Sequence, residues 1–156
     1  MDGCGLNRRL HQGKVRMKKP SLAVTARFVR SWTVDAGTAE AFVRCSGDTN
    51  PLHVDDAYAQ AKGHRGRLMH GALLNAFLSG FVGTGLPVKD TMCLMQKLNY
   101  RAPFFIGDEI RLEAMVTDIQ PAPWRENFQI VEFGVVFRRD KEIVASGLLQ
   151  VLAGEA

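Results

Sequence analysis

Apolar and polar positions follow two rhythms along this chain, and the change between them divides it. Ala26–Val34, rich in Phe, Val, Trp and Thr, predicts a first strand. Ala36–Cys45 predicts a short helix, with Asp35 or Thr38 able to cap it and Gly47 to stop it. Asp55 is placed to cap another short helix running to Ala61 and closed by Gly63. From His70 to Thr84 the large apolar residues are Leu73, Leu74, Phe77, Leu78, Phe81 and Val82, the spacing of a broad helical face. The remaining positions there are small and none is charged, which predicts a central helix almost entirely wrapped by other structure. After Pro87 the texture becomes that of strands, over Met92–Arg101, Glu109–Ile119, Phe128–Arg138 and Ile143–Leu152. Gly107-Asp108 and Arg139-Asp140-Lys141 are suited to hairpin turns between them. The expected architecture is α+β: one strand, short helices, a buried helix, then a four-stranded meander able to curl around it.

A chain of 156 residues that is 46% hydrophobic can bury one core without disulfide or metal staples. Cys4, Cys45 and Cys93 are odd in number and show no CxxC spacing. They suggest a reducing compartment, with Cys45 and Cys93 as small buried residues. No apolar run reaches the roughly eighteen residues of a membrane span, so a soluble chain is expected. The net charge of +4 is unevenly spread: residues 1–30 hold eight Lys/Arg against Asp2 alone, whereas residues 31–156 carry a net −3. Residues 1–25 therefore form a basic extension ahead of a domain over 26–156. It suits either a solvated tail or a mitochondrial transit segment, although Ser is scarce there. Mitochondrial location is the expectation and cytoplasmic the alternative. Nucleic-acid binding is disfavoured, because no aromatic residue is interleaved with the basic ones before Phe28.

The densest chemistry lies in Ser46-Gly-Asp48-Thr-Asn50-Pro51-Leu-His53-Val-Asp55. Asn50 precedes a proline and is pushed toward extended geometry, so this stretch is expected to turn rather than to be regular helix. A turn can aim Asp48 and His53 into one cavity and let them hold a water. Taken singly, Asp48 could equally make an Asx turn and His53 be a packed histidine. Gly71 follows His53 by eighteen residues and opens the apolar helix, where unpartnered N–H groups carry partial positive charge. Asn75 and Ser79 fall on the same helical stripe as Gly71, suggesting a pocket wall. His53, His64 and His70 invite a zinc reading, but their spacing matches no ordinary ligand pattern and no cysteine or carboxylate completes the set in sequence, so no metal is expected. Without a phosphate-binding glycine loop, no cofactor is expected either. Lys62, Arg65 and Arg67 could meet phosphates or an acidic partner, though a solvated charged loop is the commoner arrangement.

Ser-Gly-Asp-x-Asn-Pro-Leu-His-x-Asp, then His70-Gly71-x-Leu73, then Pro103-x-x-x-Gly107-Asp108, resembles the MaoC-like or (R)-specific enoyl-thioester hydratases over roughly Thr33–Leu152. The resemblance implies a single hotdog fold, a long helix wrapped by an antiparallel sheet, and a homodimer. It implies hydration of trans-2-enoyl thioesters of coenzyme A or acyl carrier protein, or the reverse dehydration. Asp48 and His53 would be the catalytic pair, and the Gly71 N–H would polarise the thioester carbonyl. Asn50, Asn75 and Ser79 would be substrate contacts or shape the site. The mitochondrial 3-hydroxyacyl-thioester dehydratases form a similar subgroup. Competing expectations are an acyl-thioester-binding accessory subunit and a hotdog thioesterase. Many hotdog thioesterases use a carboxylate on the central helix, and residues 71–84 contain none.

Overall fold

A computed structural model describes residues 22–154. Most of the basic extension, with Cys4 and His11, lies outside them. The elements are β1 (Arg27–Thr33), α1 (Ala36–Ser46), α2 (Pro51–Val54), α3 (Asp56–Ala61), α4 (Leu73–Thr84), β2 (Thr91–Tyr100), β3 (Glu109–Pro121), β4 (Phe128–Arg139) and β5 (Glu142–Gly154). Helix boundaries fall where side-chain chemistry places them. Asp35 accepts from the Thr38 N–H at 2.6 Å to start α1, and Gly47 ends it in the left-handed conformation at φ 72°. Asp55 accepts from the Tyr58 N–H at 3.0 Å to start α3, and Gly63 follows that helix at φ 88°.

The five strands form one antiparallel sheet in the order β1-β3-β4-β5-β2. β3 and β4 alternate strictly: Ile110, Leu112, Ala114 and Val116, then Val131, Phe133, Val135 and Phe137, are buried against the helix side. Leu73, Leu74, Leu78, Phe81 and Val82 of α4 fill the concave face. Each large side chain so buried contributes about 1.5–3 kcal/mol relative to exposure. Phe77, the sixth residue of the expected face, is half-buried and stacks on Trp32 of β1 at 4.7 Å. The helix wrapped by an antiparallel sheet is the expected hotdog arrangement.

Several expectations need correction. The last four strands are not a meander: β2 pairs with β5 at the far edge and not with β3. Residues 101–108 therefore do not make a hairpin. They cross the end of the sheet, burying Phe104 and Phe105, with the Gly107 N–H donating to Val34 O at 2.7 Å and Phe104 O accepting from Met69 N–H at 2.8 Å. Nor is α4 wrapped on all sides, since Ala72, Ala76, Ser79, Gly80, Gly83 and Thr84 face outward. Cys45 is exposed, because only Ala39 of α1 is fully buried, whereas Cys93 is partly buried and packs against the core from edge strand β2. Met92 is 54% exposed on that edge. Finally, the stretch expected only to turn holds a short helix begun by Pro51, whose fixed φ and missing N–H suit the first helical position.

Candidate active site

The segment between α1 and α2 is tied by its own short side chains. Ser46 Oγ accepts from the Asp48 N–H at 3.2 Å, Asp48 Oδ1 from the Asn50 N–H at 3.0 Å, and Asn50 Oδ1 from the Leu52 N–H at 3.0 Å. Asn50 is thus the cap of α2, and it fixes the direction in which His53 leaves that turn. One Asp48 oxygen is used in the turn. The other, Oδ2, stands 4.0 Å from His53 Nε2 and 3.6 Å from His70 Nε2. The Asx turn and the approach to His53 therefore coexist in one carboxylate.

The tautomer of His53 follows from its partner. Its Nδ1 lies 2.8 Å from Leu68 O, and a carbonyl can only accept, so Nδ1 carries the proton. In the neutral ring Nε2 is then a bare acceptor facing Asp48 Oδ2. Two acceptors 4.0 Å apart cannot bond each other but can each take one O–H of a single water, with bonds of about 2.8 Å. Both water protons then point at bases, and the oxygen lone pairs are left for an electrophile.

His70, which the sequence offered only at the start of the apolar helix, in a rejected zinc reading and in the motif, lies beside Asp48 and His53. Its side chain is 5% exposed, Nε2 lies 3.1 Å from Asp48 O, and its ring stacks on His53 with centroids 3.9 Å apart. Asp48, His53 and His70 each present an atom within 4.8 Å of the others. The sequence argument against zinc missed this grouping, for it paired the histidines with His64 and counted no carboxylate. The 4.0 Å gap is nevertheless wider than the ~3.4 Å between ligands of tetrahedral zinc at about 2.0–2.1 Å, and it suits a bridging water better.

Gly71 sits in the turn that leads into α4. His70 O accepts from the Leu73 N–H and Gly71 O from the Leu74 N–H, both at 3.0 Å, so the Gly71 N–H opens the turn and has no acceptor among the described residues. A β-carbon here would lie 3.2 Å from two ring atoms of Tyr100. The close approach that glycine allows is therefore made, in this structure, by Tyr100. Asn75 is occupied: it donates to Gln96 Oε1 at 2.8 Å and accepts from the Tyr100 hydroxyl at 2.7 Å. Burial also raises the Tyr100 phenol above its ordinary value of 10.0. Ser79 is exposed on the open face of α4.

His53 and Gly71 share a cavity of about 400 Å³ with His64, Leu68, Met69, Leu74, Tyr100, Arg101 and the 102–104 segment, closed by Val144 of β5. Asn75, Ser79 and Asp48 do not line it; Asp48, half-exposed, stands 4.0 Å from His53 Nε2. His64, to which the sequence assigned nothing, and Tyr100, which it did not single out, are on the wall. Of the basic loop, Arg67 pairs with Asp56 at 3.8 Å and Arg65 with the buried Asp108, which also meets Arg139 Nη1 at 3.3 Å. Burial pulls the Arg139 guanidinium down, but hydrogen bonds and attraction from Asp108 and Glu142 outweigh it and the net shift is upward. Among the described residues, no helix is long and apolar enough to cross a membrane.

The chain thus wraps a sheet around a helix in the hotdog manner and brings the Asp48 carboxylate to the His53 imidazole, which shares a cavity with Gly71. Comparison with known proteins gives the family. Residues 18–133 match the family described as MaoC like domain, and the chain belongs to it. It is 36% identical over 104 residues to an (R)-specific enoyl-CoA hydratase of Aeromonas caviae, covering 67% of this chain and 78% of that one. It is 32% identical over 120 residues to a mitochondrial 3-hydroxyacyl-[acyl-carrier-protein] dehydratase of Arabidopsis thaliana, covering 75% of this chain and 64% of that one. Among solved structures, the (R)-hydratase of A. caviae involved in PHA biosynthesis superimposes with a TM-score of 0.74 at 32% identity, over 84% of this chain and 96% of that one.

Proposed function

We propose that this protein is a hydro-lyase that adds water to trans-2-enoyl thioesters to give (R)-3-hydroxyacyl thioesters, and catalyses the reverse dehydration. The observation that carries this reading is the pair of acceptors, Asp48 Oδ2 and His53 Nε2, 4.0 Å apart with the His53 tautomer set by Leu68 O. The names of the relatives support the thioester substrate and the (R) configuration.

One member of the pair takes a proton from the bound water while its oxygen bonds to C3. The C2–C3 π electrons move toward C2 and the carbonyl, and the thioester oxygen becomes enolate-like. The Gly71 N–H, free and on the same cavity, is the donor for that oxygen, a contribution of about 3–4 kcal/mol where such holes have been measured. A proton returned to C2 completes the addition, so one water is consumed and the acid–base pair is restored. Asn50 holds the loop, whereas Asn75 supports Tyr100 on the cavity wall. In this reading Asn75 acts through Tyr100 and not directly on the substrate.

We also take the protein to be a homodimer, supported by the outward small residues of α4 and the unpaired edge of β2. Mitochondrial location is supported by the basic residues before β1 and by the likeness to a plant mitochondrial enzyme.

The test is loss of enoyl-thioester absorbance with crotonyl-CoA and a longer-chain analogue, coupled to an (R)- or (S)-specific 3-hydroxyacyl dehydrogenase. Turnover to (R) product that falls about a hundredfold or more in both Asp48→Asn and His53→Ala is expected. A folded wild type inactive on both chain lengths would favour a binding subunit instead.

A further inference from the structure

Resting on that reading of the site, we propose that His70 is a positioning residue for the acid–base pair. Its Nε2–H would anchor the Asp48 backbone, and its ring would serve as the floor on which His53 lies. His70 is the one buried imidazole among the described residues, and its environment is one-sided. Nε2 faces two atoms of the same residue, the Asp48 carbonyl at 3.1 Å and its carboxylate Oδ2 at 3.6 Å. Both only accept, so the proton sits on Nε2. Nδ1 is buried with no partner. The ring stacks on His53, with centroids 3.9 Å apart and planes 27° apart, and also meets Phe42 of α1, with centroids 5.0 Å apart and planes 43° apart.

The rest of the residue is fixed as well. His70 O accepts from the Leu73 N–H in the turn that presents the Gly71 N–H. One residue thus links three parts of the machinery through different atoms: the Asp48 loop through Nε2, the His53 ring through its face, and the oxyanion donor through its main chain. Asp48 gains from a further tie. Its loop is anchored at its ends, by the Gly47 N–H donating to Val43 O at 2.9 Å and the Leu68 N–H donating to Leu52 O at 2.8 Å, but between them it is held only by hydrogen bonds within residues 46–52, and the Asp48 side chain is 48% exposed. A local turn of that kind can pivot as a unit, and the His70–Asp48 bond, spanning 22 residues, opposes the pivot. A misplacement of about 1 Å at a reacting group costs on the order of a hundredfold in rate.

The experiment compares His70→Leu, which fills the space without a donor, with His70→Gln, whose Nε2 can reach the Asp48 carbonyl. Asp48→Asn runs in parallel, and kcat, KM and thermal midpoint are measured for each. His70→Leu should lose about 10- to 100-fold in kcat with KM changed less than about threefold, and His70→Gln should recover most of the loss. Wild-type kcat in His70→Leu, or a Gln variant as poor as Leu, overturns the proposal. Because the Leu variant could fail to fold, the tautomer of His70 in the wild type is read by long-range ¹H–¹⁵N correlation. A proton on Nε2 is expected, and one on Nδ1 overturns the assignment. An active Asp48→Asn sinks the proposed chemistry itself and this inference with it. An inactive Asp48→Asn beside an unaffected His70→Leu removes the inference alone.

Discussion

Replacing Gly71 by alanine adds one methyl group at a point where the structure leaves no slack. The new carbon would stand 3.2 Å from Tyr100 Cδ1 and Cε1 and 3.3 Å from Cγ, whereas carbon pairs settle at about 3.5–4.0 Å. The ring must retreat by a few tenths of an ångström. It can do so, being half-exposed, while its hydroxyl keeps Asn75 Oδ1 as a partner: a bond of 2.7 Å stretched by ~0.5 Å remains within hydrogen-bonding range. The strain is therefore modest, and replacing glycine near a helix start returns about 0.4–1 kcal/mol through the unfolded chain. Net stability should change by less than about 1 kcal/mol. Catalysis should respond far more strongly. The methyl enters the cavity beside the free N–H, and losing a donor of this type costs about 10²–10³ in kcat, so partial displacement should cost at least about tenfold. The assay is enoyl-thioester turnover beside a thermal melt, for Gly71→Ala and for Gly71→Ala with Tyr100→Ala. A rate restored by the second substitution assigns the loss to ring displacement, and an unrestored rate assigns it to the methyl in the thioester path. Wild-type kcat in Gly71→Ala would refute the oxyanion role and the reasoning from this contact together.

Further outcomes follow from other contacts. Gly147→Ala should destabilise by about 3 kcal/mol or more, because its β-carbon would fall 1.8 Å from Lys97 O and push β2 off β5; a thermal midpoint lowered by roughly 10 °C checks this. The Asp35 carboxyl, held below 3.8 by hydrogen bonds from the Thr38 backbone and side chain, gives stability that is present above 3.8 and lost as pH falls through its folded value. Asp35→Ala should therefore lower the melting temperature at neutral pH, and the difference should close in strong acid. Tyr100, raised above 10.0 by burial, contributes stability that is complete below pH 10.0 and lost as pH rises through its folded value. Ultraviolet titration should show one late-ionising tyrosine that disappears in Tyr100→Phe.

Local features were legible in the sequence wherever the physics is local. Asp35 and Gly47 bracket α1, Asp55 caps α3, and the apolar face of α4 lies where its spacing put it, because caps and helical faces are decided within a few residues. The Asp48/His53 approach was legible for the same reason. What failed to show was pairing at a distance. A strand pattern says that β2 is extended but not that its partner is β5, nor that its edge leaves Met92 exposed. His70 and Asp48 meet across 22 residues, and nothing in the intervening composition signals it. Asn75 has a polar side chain on the expected stripe, yet only the fold reveals that Gln96 and Tyr100 saturate it. Exposure of Cys45 was likewise invisible, since a small residue on a weakly amphipathic helix packs or not according to its neighbours.

The crossing of residues 101–108 has a consequence in time as well as in space. Asp48, His53 and His70 are all made before β2, but β2 has no sheet partner until β5 exists. At synthesis rates of about 5–20 residues per second, Tyr100 precedes Gly154 by roughly 3–10 s. Through that interval β2 is an unclaimed edge bearing Met92 and Leu94, and the cavity wall supplied by Val144 is missing. A ribosome stalled before β5 should therefore display a chain that carries Asp48 and His53 but lacks the closed cavity beside His53.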